Sequence, residues 1–207
     1  MRNLLAIVAA LALTTCATAE DKRFAVGESA AGYVIIGVAE QSGAAQEASY
    51  TMLWRRVDPE TGRFAPVNNR TAFEARTNAH DSVRVRGIPG EFAMGELAPG
   101  VYALDSVFAQ IVDRRVAYVA QGVIIGPDRP TFEVRAGEAV YLGVWEMRLT
   151  ELNAVTRLWR MDEADKDAVV REARQTRGAV ILREPHTTQV PCTPVRLNAV
   201  STRQVCG

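Results

Sequence analysis

Phe132-Glu133-Val134-Arg135-Ala136-Gly137-Glu138-Ala139-Val140-Tyr141-Leu142-Gly143-Val144-Trp145-Glu146-Met147-Arg148-Leu149 holds two strands and the turn between them. Phe132 and Val134 alternate with Glu133 and Arg135, the period of a strand with one buried face. Ala136-Gly137-Glu138 then breaks the pattern as a turn. Beyond it, Tyr141, Gly143, Trp145, Met147 and Leu149 recur at period two. Glu146 and Arg148 fall between them, so the spacing predicts a strand with one wet side.

The same grammar extends upstream. Phe92 to Leu97 leads into Ala98-Pro99-Gly100, a strong turn signal, and then into Val101-Tyr102-Ala103-Leu104. Tyr102, Leu104 and Phe108 are expected on one face. Val116 to Ile125 reads as another strand, closed by Gly126-Pro127-Asp128. Tyr33 to Val38 is apolar on both faces, as a central strand is. Gln41 to Gln46 reads as a loop. Tyr50 to Val57 ends at Asp58-Pro59-Glu60-Thr61-Gly62, a hairpin turn into Arg63-Phe64-Ala65. In Ser82 to Arg86, Val83 and Val85 alternate with Arg84 and Arg86.

Downstream one helix is expected. Asp162 can cap it, Arg171, Arg174 and Arg177 load its last turn, and Gly178 is placed to end it. Its apolar stripe (Ala164, Ala168, Val169, Ala173) is thin, so it lies on the surface against a sheet. Ala179 to Arg183 reads as a last short strand, and the tail from Pro185 as irregular. Many short strands, turns every 8–12 residues and one late helix predict a mainly β protein: an antiparallel β-sandwich with one C-terminal surface helix.

The first residues read differently. Arg2 and Asn3 precede an apolar run, Leu4 to Leu13, followed by small residues and then Glu20-Asp21-Lys22-Arg23. That order is an export signal. The run is roughly ten residues, and a bilayer span needs roughly 20. Two cleavage readings stay open. Ala17-Thr18-Ala19 is an A-x-A site that places the cut before Glu20. Leu13-Thr14-Thr15-Cys16 is similar to a lipoprotein box, with Cys16 as the lipidated N-terminus, although Thr15 stands where Gly, Ala or Ser is usual. Either reading disposes of Cys16 and leaves Cys192 and Cys206 as an even pair in an oxidising compartment. Their disulfide would close a loop of about 15 residues and stabilise it by roughly 3 kcal/mol. The expected organisation is a signal peptide over 1–19, an N-terminal linker over 20–31, a β-sandwich over 32–161, the helix and last strand packed on it over 162–184, and a disulfide-closed tail over 185–207.

Two stretches, Leu97-Ala98-Pro99-Gly100-Val101-Tyr102 and Phe132 to Gly143, carry a family resemblance. They follow the patterns L-x-P-G-x-Y and F-x-V-x-A-G-E-x-V-Y-L-G, and the chain resembles a broad group of bacterial envelope proteins, many of them small lipoproteins. The resemblance covers roughly residues 32 to 150. It implies an immunoglobulin-like or transthyretin-like β-sandwich and brings no catalytic residues with it.

Charge and motifs narrow the function. There are 24 Lys plus Arg against 24 Asp plus Glu, a balance that gives no long-range field for nucleic acid. Arginine supplies nearly all the cations, the lysines being Lys22 and Lys166. His80-Asp81-Ser82 has the residue types of a hydrolase triad, but neighbours on an extended segment face alternate sides, and no G-x-S-x-G is present. His186 stands far from His80 in sequence, so a histidine metal site would need both brought together. Asp58 and Glu60 flank a turn, where solvated acids are routine. The doublets Arg55-Arg56 and Arg114-Arg115 would split across strand faces. Trp159 is expected either beneath the helix that follows Asp162 or as the mark of a binding patch. The expectation is a periplasmic, non-enzymatic cell-envelope protein, soluble or held to the membrane only through a lipid on Cys16, without cofactor or metal, that binds another envelope protein. The alternatives are a periplasmic hydrolase with dispersed carboxylates or a small-ligand carrier.

Overall fold

The computed structural model describes residues 22–41, 48–112, 117–121, 128–150, 153–191, 194–196 and 204–206, with side chains for all of these except 112, 117–121, 194–196 and 204–206. In chain order the elements are β1 (Phe24–Ala25), β2 (Gly32–Glu40), β3 (Ala48–Arg56), β4 (Ala72–Arg76), β5 (Glu91–Leu97), β6 (Gly100–Val112), β7 (Ala117–Gln121), β8 (Asp128–Val134), β9 (Ala139–Thr150), β10 (Asn153–Arg160), α1 (Glu163–Ala173), β11 (Thr176–Arg177), β12 (Val180–Leu182), β13 (His186–Gln189), β14 (Pro194–Arg196) and β15 (Gln204–Cys206).

Two sheets face each other. One runs β10-β9-β2-β5 with β12 also on β9; the other runs β13-β8-β6-β3-β4 with β7 also on β6. Their facing sides bury Val34 and Ile36, Met52 and Trp54, Tyr102 and Leu104, Phe132 and Val134, and Leu142 and Trp145 in one core. The protein is therefore a β-sandwich with one helix. The two motif stretches meet at its centre. Phe132 stacks on Tyr102 at 5.7 Å, and Trp54 sets its edge against Phe132 at 5.0 Å and Trp145 at 5.3 Å. The Tyr102 hydroxyl reaches the carbonyls of Arg70 (2.8 Å) and Ala98 (2.9 Å), closing the Pro99-Gly100 turn.

Both long strands carry a mid-strand bulge. In β6, Leu53 pairs Ser106 but Trp54 pairs Leu104, so Asp105 is the extra residue. In β9, Ile35 pairs Tyr141 but Gly37 pairs Val144. A bulge shifts side-chain parity by one. Phe108 therefore leaves the face of Tyr102 and Leu104, which Val107 and Ala109 continue. Likewise the expected Tyr141-Gly143-Trp145 face splits: Val140 and Leu142 share the inner core with Trp145 and Met147, while Tyr141 and Val144 face outward. Each bulge also divides the strand's flank between two partners. β6 meets β8 at 100–103 and β7 at 108–112; β9 meets β12 at 139–141 and β10 at 144–150.

The outward face of β9 is not wet along its length. Phe24, Ile88, Val169 of α1 and Val180 cover Tyr33, Ile35, Tyr141 and Val144 with a second apolar layer. Only from Glu146 onward does the alternation predicted from sequence reappear, and there Arg148 is exposed. The first sheet is also mixed: β2 and β12 run parallel to β9. Alternation shows which face is buried and not which way a neighbour runs.

Several boundaries move. Of Ser82 to Arg86, only Val83 keeps a strand-like bridge, to Phe92; Val85 turns onto the second core. The helix is capped by Asp162 as expected, but ends early. Arg174 takes a left-handed φ of 53°, its N–H bonding Val170 O, because Thr176–Arg177 is needed as the partner of Phe24–Ala25. The segment expected as a linker is thus docked from Phe24 onward. The tail expected to be irregular contributes β13 to the second sheet. Of the strand expected over 116–125, residues 117–121 form β7 and the flanking positions lie outside the described residues, as do 1–21.

Gly143 is the glycine on which this arrangement turns. Its φ is +75°, and a Cβ there would run into the carbonyl oxygen of Arg160. Gly143→Ala combines an unfavourable backbone with a backbone clash and should cost about 2–4 kcal/mol. Chemical denaturation measures the cost, and faster amide exchange in β10 locates it; an unchanged midpoint would refute the bulge's role.

Candidate functional site

Trp159 lies on β10, the end strand of the first sheet. Leu158 pairs Trp145 and Arg160 pairs Val144, so Trp159 is the extra residue of a second bulge opposite the kink in β9. It is 43% exposed, and Leu158 beside it 36%. The helix does not cover it, because the helix start is fixed elsewhere. Arg160 grips Asp165 through Nε (2.8 Å) and Nη2 (2.9 Å), which sets the first turn of α1 against Arg160. On the same strand Arg157 Nε bonds Glu146 at 2.7 Å.

A polar grouping surrounds the connection from β4 to β5. A cleft of about 430 Å³ is lined by Val38, Val85 and Ile88 with Glu40, Arg84 and Glu91. A smaller one of about 220 Å³ lies by Glu74, Arg76, Asp81 and Ser82. Glu91 is buried between them. Ser82 Oγ donates to its Oε2 at 2.6 Å, and the Arg84 guanidinium bonds Oε1. Burial alone would raise the Glu91 pKa, but Ser82, Arg84 and the Asn78 backbone outweigh it and hold the carboxyl below its usual range. Ser82 is thus spent on an ionised acceptor, and it does not join His80 and Asp81, both exposed, in a relay. Asp58 likewise sits low because the amides of Thr61 and Glu60 cap it within the turn.

A buried ion cluster escaped the sequence reading. Arg55 Nη1 stands 3.7 Å from Asp105 Oδ1, and Arg129 Nη1 donates to the Asp105 carbonyl at 3.3 Å. Arg55 also donates to Ala65 O and lies over the Phe64 ring at 5.0 Å. Both arginines therefore hold the β6 bulge beneath the 57–66 hairpin. Arg55 and Arg56 do fall on opposite faces, whereas Arg114 and Arg115 lie outside the described residues. The signal available was Arg55 itself, a cation closing the apolar run Met52-Leu53-Trp54.

His186 sits in β13, where its carbonyl accepts from Thr131 Oγ1 at 2.9 Å. Among the described residues no three His, Cys, Asp or Glu side chains group as a metal site, and no helix is long and apolar enough to cross a membrane. Cys16 and Cys192 lie outside the described residues, and Cys206 is described by its backbone in β15.

No protein-family model matches the chain, and no curated protein matches it in sequence. A solved structure of a candidate cell adhesion protein from Bacteroides fragilis is similar over 65% of this chain and 48% of that chain, with 8% identity and a TM-score of 0.31. The chain spans about half the length of that protein, and the score lies below what a shared fold gives.

Because Glu91 titrates lower when folded, its contribution is present above the unfolded carboxylate pKa of about 4.3 and is lost as pH falls through the folded value. Glu91→Gln should cost about 1–3 kcal/mol at neutral pH and flatten the acid limb of the stability curve. Urea denaturation from pH 7 to pH 3 reads both; parallel limbs in the two proteins would show that Glu91 does not set this dependence.

Proposed function

We propose that the protein is a non-enzymatic binding module of the bacterial cell envelope, meeting another envelope protein through the open end of β10. The observation that carries this reading is the adjacent exposure of Leu158 and Trp159 on a sheet's end strand. A soluble surface seldom leaves a Trp and a Leu together at an edge without a partner to cover them. The polar groups of the cleft support the same reading, since Ser82, Arg84 and Glu91 satisfy one another.

The compartment belongs to the proposal too. The leader from Arg2 to Ala19 directs export, leaving a protein that is periplasmic or lipid-anchored at Cys16. Cys192 and Cys206 then form a disulfide. The even pair left once Cys16 is removed or lipidated, in an oxidising compartment, supports it.

Photocrosslinking from position 159 in envelope fractions should capture one protein reproducibly, while crosslinking from exposed Val67 should not. Equal capture at both positions, or none at 159, overturns the reading. Purified exported protein should carry no free thiol before reduction; titration of two thiols refutes the disulfide.

A further inference from the structure

We propose that the stretch Arg157 to Arg160 takes an extended, acidic polypeptide segment as an added strand of the first sheet. The inference rests on the partner reading above and names the partner's chemistry.

Three observations carry it. The first is the open edge. β10 ends the path of its sheet, and among the described residues no strand pairs with its outer side. Its first half turns side chains to the core, Ala154 into the main cluster and Thr156 Oγ1 to Met52 Sδ at 3.8 Å, whereas Arg157, Leu158 and Trp159 are exposed. An edge strand presents unpaired N–H and C=O groups, which an extended peptide satisfies.

The second is how the edge is protected. Natural edges are blunted by Pro, Lys, inward charges or bulges, and β10 carries the bulge at Trp159, which turns an apolar side chain outward. Residues 153–160 hold neither Pro nor Lys. The two arginines are tied sideways, Arg157 to Glu146 and Arg160 to Asp165, and leave Leu158 and Trp159 facing solvent.

The third is the sign of the exposed charge. Arg157 is 64% exposed and its partner Glu146 10%; Arg160 is 37% exposed and Asp165 9%. Arg148, across from Val155, is exposed as well. Each acid is covered by its own arginine, so along 157–160 an incoming strand meets arginine, with the exposed Asp162 and Glu163 only past the end of β10. A second copy of this edge would oppose arginine to arginine, and like charges facing each other across strands destabilise the pair. An incoming strand with Glu or Asp toward Arg157, and an apolar residue toward Trp159, matches both the charge and the apolar pad, and Arg148, one strand further in on β9, adds to the same positive field.

The test uses the full exported chain and two synthetic eight-residue peptides. One alternates Glu with Val; the other carries Lys in place of Glu. Trp fluorescence and amide exchange follow binding. The acidic peptide should bind, protect amides at 157–160, and lose about tenfold in affinity between low and physiological salt. Trp159→Ala and Arg148→Glu should each weaken it about tenfold; Arg148→Glu leaves both ion pairs of β10 intact, so a folding defect is not its cause. Equal binding of the Lys peptide, undiminished binding to Arg148→Glu, or self-association through the same edge overturns the inference. If crosslinking at 159 captures a partner but the acidic peptide fails to bind, the strand chemistry is wrong and the binding role stands. If nothing is captured at 159, both fall.

Discussion

The mid-strand bulges in β6 and β9 are the constraint on which the rest of the structure depends. Each strand is long enough to serve two neighbours along one flank, and a single straight strand cannot also follow the twist of both. The extra residue bends the strand and changes which side chains face the core. In β9 the result is that Val140 and Leu142 before the kink share the inner core with Trp145 and Met147 after it. Without that shift, Trp145 would leave Trp54 and face the helix layer. The aromatic centre exists because the bulge sits where it does.

The two bulges are held by different chemistry. At Gly143 the backbone itself is the solution, since the left-handed φ needs a residue without Cβ and the Arg160 carbonyl occupies the space one would fill. At Asp105 a side chain is present, and the bulged residue's carbonyl and carboxylate meet donors in a buried site. Arg55 and Arg129 provide them. Burying three charged groups is costly, and such clusters are weak evidence of net stability. Here the cluster fixes one register between β3 and β6, because sliding either strand by one residue would separate Arg55 from Asp105.

This explains what was legible in the sequence. The sandwich, the Pro99-Gly100 turn, the Asp162 cap and the central strand Tyr33 to Val38 follow from local patterns, and all of them appear. Faces beyond a bulge do not, since parity counted from Tyr102 or Tyr141 is carried past residues whose backbone geometry depends on distant partners. The end of α1 was misplaced for a similar reason. Gly178 is a good stop signal, but Thr176 and Arg177 were claimed by Phe24 and Ala25, some 150 residues away in the chain. The buried arginines were hidden because Arg55 resembles an ordinary surface cation unless Asp105 is known to lie beneath it. At the candidate site, Trp159 could be singled out as unusual, but its exposure depends on where Arg160 anchors the helix.

The ends of the sheets make the case for β10 sharper. β13, at one end of the second sheet, carries His186, Thr187, Thr188 and Gln189, and Thr188 meets Thr131 at 3.0 Å. That end is polar and offers nothing that water does not satisfy. β5, at the other end of the first sheet, is bridged by Val83 and bound through Glu91 to Ser82 and Arg84. Only β10 combines an open edge with exposed Leu158 and Trp159 among the described residues. The bulge of β10 that lies opposite the kink in β9 displaces Trp159 from its ladder, so the internal solution to strand bending leaves an apolar side chain outside. A fold that placed Trp159 under α1 would have to release Arg160 from Asp165 and bury the carboxylate alone, which costs more than leaving the indole partly in water. The exposed surface is a consequence of how the core is built, which is why it is available for a partner.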